Sequence, residues 1–230
     1  LCRYWDENRL SYDVLHTHYW LSGWVGLLLH RRHPLPWVAS FHTLGEIKRR
    51  VRVGEREPER RILTERRVLR AADRAIALNP HERSEMAHLY GAAPERIDVV
   101  PAGVDLDLFR PIEKGEARRR LGLAEGPLVL YVGRLERLKG IDILLRAVAL
   151  LKDRPGLRLL VVGGNRTGDS ERGRLERLAL ELGIDRLVRF EGPVKQDVLP
   201  LYYGAADVCV VPSYYESFGL VAVEAMACGV

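Results

Sequence analysis

Short apolar, β-leaning runs alternate with helical patterns along this chain, and that alternation constrains the fold more than any other feature. In the first part the runs 12–18, 37–41, 73–78 and 97–101 are separated by helix-like stretches at 19–29, 59–72 and 81–90. Asn79 and Pro80 suit the start of the last of these helices and Gly91 its stop. In the second part the runs 128–133, 157–162, 187–190 and 208–211 alternate with helical patterns at 141–152, 171–182 and 197–206. Neighbouring parallel strands need a crossover connection, usually a helix, so the order predicts parallel, doubly wound α/β sheets covered by helices. Two such series imply two domains facing across a cleft, 1–108 and 109–230, with the non-periodic stretch 102–111 as the crossing. The first domain reads as lacking its opening strands and the second its closing elements, so both read as incomplete and the chain as a fragment cut at each end.

The 47% apolar content and mixed charge indicate a globular protein. No apolar run approaches the roughly 20 residues that span a bilayer, and no signal peptide opens the sequence, so a cytoplasmic protein is expected. Cys2, Cys209 and Cys228 read as reduced small hydrophobes, not as a disulfide framework or a metal site. The net charge of +5 invites a nucleic-acid partner. Its distribution argues against one, because the Arg residues alternate with Glu, as in the segments 55–61 and 171–177, in the manner of solvated helix faces with i,i+4 pairs. Weak attraction to acidic lipid headgroups is the remaining use for that charge.

The chemistry concentrates at three strand ends. Residues 208–212 read as a buried strand that turns through Gly219 into an Ala-rich helix. A helix start offers unpaired N–H groups and a positive dipole end, which suit a diphosphate. Glu216 stands before that turn and Glu224 about two helical turns deeper, both placed to accept from hydroxyls, so a ligand with phosphate and sugar fits. Gly133, Arg134, Lys139 and Gly140 lie between a strand and a helix, where two cations can hold a diphosphate and stabilise it as it leaves. An isolated pair there suits a solvated loop with surface ion pairs better, and Arg137 keeps that reading. His42, Thr43 and Lys48 follow another strand end. His16 and His18 share a strand face and invite a metal, but no third ligand lies near them in sequence. No Gly-x-Gly-x-x-Gly fingerprint occurs, which counts against a nicotinamide enzyme.

The order Glu216-Ser217-Phe218-Gly219-Leu220-Val221-Ala222-Val223-Glu224-Ala225-Met226-Ala227-Cys228-Gly229 closely resembles the Glu-x7-Glu signature of the retaining nucleotide-sugar glycosyltransferases, family 4. Residues 133–140 resemble that family's diphosphate-binding Gly-Arg…Lys-Gly segment, and residues 41–45 resemble the His-Thr-Leu segment of its mycothiol-pathway and sucrose-phosphate synthase members. The resemblance runs from Asp13 to Gly229, with 100–105 as the approach to the hinge. It implies two Rossmann-like domains of the glycosyltransferase B type and transfer of a sugar from a UDP-, ADP- or GDP-sugar to an acceptor hydroxyl. The anomeric configuration would be retained, and neither metal nor cofactor would be used.

The resemblance implies His42, Arg134, Lys139 and Glu216 as catalytic residues, with His42 near the reacting carbon of the donor sugar. A neutral imidazole there can orient a sugar hydroxyl. Glu216 would hold sugar hydroxyls, although its chemistry alone also allows a nucleophile. Gly133, Gly163, Val194, Phe218, Gly219, Leu220 and Glu224 would complete the donor site, with Glu224 on the ribose. Tyr19, Thr43, Lys48 and an Arg of the pair Arg60-Arg61, taken as Arg61, would face the acceptor, and such donors favour a phosphorylated one, an inositol phosphate or a hexose phosphate. The charge around Arg60 and Arg61 equally fits a solvated surface. The rival expectations are a lipid-linked or polysaccharide acceptor at a membrane and a nucleotide-sugar-binding module without turnover.

Overall fold

The computed structural model describes residues 2–8, 10–51, 57–164 and 170–230. Two compact units divide at Ala102 and Gly103, against the 108/109 boundary read from the sequence. In the first unit α1 (Cys2–Glu7) precedes β1 (Leu15–His18), α2 (Tyr19–Arg32), β2 (Trp37–Ser40), α3 (Gly45–Val51), α4 (Glu59–Ala71), β3 (Arg74–Ala77), α5 (Pro80–Tyr90) and β4 (Ile97–Val99). The strands pair in chain order, all parallel, with Leu15 opposite Trp37 and His18 opposite Ser40. Trp37 is fully buried, and its indole N–H donates to Thr17 Oγ1 at 2.9 Å, the partner that a buried indole needs. Ile62, Val68 and Leu69 form the buried stripe of α4. Each such side chain contributes about 1.5–3 kcal/mol on leaving water.

The second unit holds α6 (Lys114–Arg120), β5 (Leu128–Val132), α7 (Ile141–Ala149), β6 (Arg158–Val162), α8 (Ser170–Glu181), β7 (Val188–Gly192), α9 (Leu199–Ala205), β8 (Val208–Cys209) and α10 (Leu220–Ala227). Its parallel sheet has the order β7-β6-β5-β8. Successive side chains of a strand point to opposite faces, and here both faces are covered. Leu159 and Val161 join the core under α7 and α8, whereas Leu160 and Val162 join the core with Ala117, Tyr203 and Ala225. That is why β6 reads as an unbroken apolar run.

Parallel α/β architecture in both units agrees with the sequence reading, but some elements differ. The expected buried strand 208–211 is reduced to β8, which among the described residues pairs with β5 alone, and Val208 is 46% exposed. The helix read as 141–152 stops at Ala149. Helix α3 carries Lys48, which reads from the sequence as following a strand end, and residues 52–56 beyond it lie outside the described residues. Helix α6 has no apolar stripe to announce it; Glu113 caps it by accepting the N–H groups of Gly115 and Glu116 at 2.9 and 2.7 Å. Cys209 and Cys228 are free, and burial together with the charge of Glu224 pushes the Cys209 thiol up to about 11, so it is protonated and unreactive. The Cys2 side chain lies outside the described residues. No helix among the described residues is long and apolar enough to cross a membrane.

Candidate functional site

In the second unit three neighbouring parallel strands finish in glycine. Gly133 after β5 donates its N–H to the Val162 carbonyl at 2.9 Å, and Gly163 after β6 donates to the Gly192 carbonyl at 2.9 Å. Their φ angles are 152°, 126° and 79° for Gly133, Gly163 and Gly192, in the region that disfavours side chains. A Cβ on Gly163 would strike the Gly133 carbonyl oxygen. The result is bare backbone at the C-terminal ends of β5, β6 and β7, the place where open parallel sheets receive ligands. Val194, just beyond β7, packs into the core around Tyr203.

A second set of backbone contacts brings Lys139 to Glu216. The 3-10 turn Arg137–Lys139 ends at Gly140, where φ is 63° and a side chain would collide with the Pro212 carbonyl. The Tyr214 N–H donates to the Leu138 carbonyl at 2.9 Å. The turn after β5 is thereby tied to the loop after β8, and Lys139 Nζ lies 2.8 Å from Glu216 Oε2. Ser213 Oγ donates to the same oxygen at 3.1 Å. Arg134 is not part of this pair: it is 73% exposed and holds Glu136 at 2.7 Å. Arg137 is exposed, as read from the sequence.

Helix α10 begins after Gly219, whose φ is 84° and whose carbonyl accepts the N–H groups of Ala222 and Val223 at 2.9 and 3.3 Å. The first N–H groups of a helix have no intrahelical partner and point out of its start. Gly219 is buried, Phe218 half-buried and Leu220 exposed. One turn further in, Glu224 Oε2 accepts from the hydroxyl of the buried Tyr203 at 2.7 Å. Burial and this carboxylate push the Tyr203 phenol well above its ordinary value, so it remains a donor that fixes the Glu224 rotamer. No local pattern around Tyr203 announces that role.

In the first unit Tyr19 (φ 72°) and His42 (φ 61°) are the non-glycine residues with positive φ among the described residues, and they follow the ends of β1 and β2. Such conformations cost about 1–3 kcal/mol each and persist where the surroundings impose them, often at functional sites. His42 Nε2 lies 2.9 Å from His18 Nδ1, with the rings stacked at 5.1 Å, and His16 Nε2 lies 2.9 Å from Ser40 Oγ. Burial, reinforced by His18, lowers the values of both His16 and His42 below the usual imidazole range, so both rings are neutral at pH 7. The His18 and His42 nitrogens face each other and share a hydrogen; they do not converge on a common point. Among the described residues no group of three His, Cys, Asp or Glu side chains is placed to hold a metal ion.

Arg61 corrects one sequence reading. It is 2% exposed, not part of a solvated face, while its neighbour Arg60 is exposed. Its Nε donates to Glu65 Oε1 at 2.7 Å, Nη1 to Glu57 Oε2 at 2.8 Å, and Nη2 to the Thr43 carbonyl and Oγ1 at 2.9 and 3.0 Å. The guanidinium carbon lies 4.9 Å from the centre of the Tyr19 ring. Glu65, fully buried, also accepts from the Gly45 N–H at 2.9 Å and the Tyr90 hydroxyl at 2.7 Å. Lys48 Nζ completes the cluster at 2.7 Å from Glu57 Oε1. Burial works against the charge on Glu57, but Lys48 and Arg61 more than offset it and hold the carboxyl below the usual carboxylate range. Tyr19, Thr43, Lys48 and Arg61 are thus brought into one cluster. Glu57, Glu65 and Tyr90 were not singled out from the sequence; the Arg61-x3-Glu65 spacing is the signal for Glu65, because residues four apart share a helix face, whereas Glu57 lies before α4 and no helical spacing announces it.

Residues 113–230 match the family model described as glycosyl transferases group 1, and residues 2–108 match that of glycosyltransferase family 4. The chain is 48% identical over 227 residues to D-inositol 3-phosphate glycosyltransferase 2 of Catenulispora acidiphila, covering 95% of this chain and 53% of that protein. It is 49% identical over 227 residues to the D-inositol 3-phosphate glycosyltransferase of Geodermatophilus obscurus, covering 95% and 50%. The chain therefore spans about half the length of the curated relatives it matches. Among solved structures, sucrose-phosphate synthase from Thermosynechococcus elongatus superposes with a TM-score of 0.89 at 39% identity, covering 100% of this chain and 57% of that one. HepE of Anabaena in complex with UDP and glucose shares the fold at 23% identity and a TM-score of 0.82, over 95% of this chain and 57% of that one. The glycine-ended sheet, with Glu216 before α10 and Glu224 within it, and the family match over the same residues lead to one conclusion: the chain belongs to the glycosyl transferases group 1 family.

Proposed function

We propose that the protein is a metal-independent, retaining glycosyltransferase that moves a sugar from a nucleoside-diphosphate sugar to a hydroxyl of a phosphorylated small molecule, with an inositol phosphate as the first acceptor to test. The observation that carries the acceptor class is the convergence of a buried guanidinium, an ammonium and two hydroxyl-bearing side chains, Arg61, Lys48, Thr43 and Tyr19. Planar and point cations together suit a phosphate. Two relatives near half-identity are named for D-inositol 3-phosphate, and sucrose-phosphate synthase shares the fold at 39% identity.

On this reading the bare backbone at Gly133 and Gly163 and the start of α10 at Phe218, Gly219 and Leu220 receive the donor, beside Val194. Glu224 accepts from ribose hydroxyls and Glu216 from sugar hydroxyls. The neutral His42 ring orients a sugar hydroxyl near the reacting carbon. As the bond from the anomeric carbon to the diphosphate oxygen breaks, Arg134 and Lys139 stabilise the charge growing on that oxygen. The acceptor oxygen bonds to the same carbon on the same face, and its proton passes to the departing phosphate, so no separate base is required. For Arg134 this means exchanging Glu136 for the diphosphate, and for Lys139 sharing Glu216 with it. The substrates are soluble and the proposed setting is the cytoplasm, with no nucleic-acid partner.

The test is a screen of nucleoside diphosphate release from UDP-, ADP- and GDP-sugars, with and without inositol or hexose phosphates and in the presence of EDTA. Release from one donor that depends on a phosphorylated acceptor and survives chelation is expected. No release from any donor overturns the reading, and release abolished by EDTA overturns its metal-free part.

A further inference from the structure

We infer that Glu57 is a resident counter-anion of the acceptor site, occupying the place of the acceptor's phosphate between Lys48 and Arg61 and setting how tightly that phosphate binds. The inference rests on the acceptor reading above for the identity of the incoming group, but its physical content concerns the two cations alone. Each carboxylate oxygen of Glu57 takes one cation, Oε1 the Lys48 ammonium at 2.7 Å and Oε2 the Arg61 Nη1 at 2.8 Å. A phosphate bridging Lys48 and Arg61 would use the same two donors.

The other carboxylate of the cluster cannot be the one that yields. Glu65 is fully buried and accepts from Arg61, Gly45 and Tyr90, so moving it would strand three donors in the interior. Glu57 lies at the outer edge, its side chain 10% exposed, and among the described residues it accepts from Lys48 and Arg61. Arg61 stays anchored without it, through Glu65 and both oxygens of Thr43. Lys48 and Arg61 against Glu57 and Glu65 sum to zero charge, which offers an arriving dianion no net attraction. With Glu57 displaced the cluster carries one net positive charge and two free donor positions. Glu57 therefore keeps the cations ordered and desolvated between turnovers, and it raises the threshold that an anion must cross to enter. Like-charge opposition at such a site selects for ligands whose phosphate brings further contacts, so a bare anion binds poorly.

The experiment is calorimetric titration of inorganic phosphate and of D-inositol 3-phosphate into the wild-type protein and into Glu57→Gln and Glu57→Ala, with thermal melts showing that each variant is folded. Removing the opposing charge should tighten both anions about tenfold and lower the KM for the phosphorylated acceptor while the donor KM holds. Adding Lys48→Ala to either variant should erase the gain, which separates this site from other anion sites. Unchanged or weaker binding in both folded variants overturns the inference. Tighter inorganic phosphate with no glycosylation of any phosphorylated acceptor leaves the inference standing and overturns the acceptor reading. Glycosylation of inositol phosphate with unchanged phosphate affinity in the variants overturns the inference alone.

Discussion

In the second unit the candidate ligand surface is backbone: Gly133, Gly163 and Gly192 end three adjacent strands, Gly140 permits the turn that carries Lys139, and Gly219 opens α10. In the first unit the corresponding strand ends carry side chains held by other side chains, with Arg61 bound to Glu57, Glu65 and Thr43 and stacked on Tyr19. A backbone surface is set by chain path, so it tolerates exposed, loosely held cations such as Arg134. A side-chain surface is set by mutual satisfaction, so removal of its most buried acceptor, Glu65, strands the donors around it. The difference teaches where each unit is fragile: the second in the path of its turns, the first in its buried charges.

The largest effect that follows is on stability. Glu65→Ala leaves the Arg61 guanidinium, the Gly45 N–H and the Tyr90 hydroxyl without their acceptor, which should cost the first unit about 3–5 kcal/mol in denaturant unfolding. A loss under about 1 kcal/mol would show that the cluster is not interdependent. Next in size are the cations of the other unit. Arg134→Ala should leave stability within about 0.5 kcal/mol, because the side chain is 73% exposed, yet lower turnover about 100-fold or more. Glu216→Gln should likewise cripple turnover with the fold intact. Near-normal turnover in both variants would mean that the donor site is elsewhere.

Smaller is the cost of Gly163→Ala, about 1 kcal/mol or more from the positive φ, with the added displacement of the Gly133 carbonyl. Donor KM should rise while acceptor affinity holds, and an unchanged donor KM would break the contrast between the units. The smallest effect is with pH. All seven histidines lie before Ala102, and His16 and His42 are held below the ordinary imidazole value. Their folded values are depressed, so their contribution to stability is present above about pH 6.5 and is lost as pH falls through the lowered values. The first unit should therefore lose stability on mild acidification before the carboxylates titrate. His16→Asn should blunt that loss in a pH series of melts, and an unchanged slope would contradict the assignment.

What was legible in the sequence follows the same division. The strand runs were readable because β5 and β6 are buried on both faces, and the glycine turns were readable because their requirement is local. Helices α3 and α6 were not, being seven residues long and held by caps and ion pairs in place of an apolar stripe. The environment of Arg61 was hidden for another reason. Its partners sit at 43, 57 and 65 and its stacking ring at 19, and only the parallel pairing of β1 with β2 brings Tyr19 and Thr43 to adjacent strand ends. Tyr203 fixing Glu224 is a contact of the same kind, between side chains 21 positions apart.

The most direct test of the central claim compares D-inositol 3-phosphate with unphosphorylated inositol as acceptors, read as kcat/KM for nucleoside diphosphate release from the preferred donor. The buried Arg61 and the paired Lys48 predict a strong preference for the phosphorylated compound that disappears in Arg61→Lys and Lys48→Ala. Equal rates with both acceptors in the wild-type protein would contradict it.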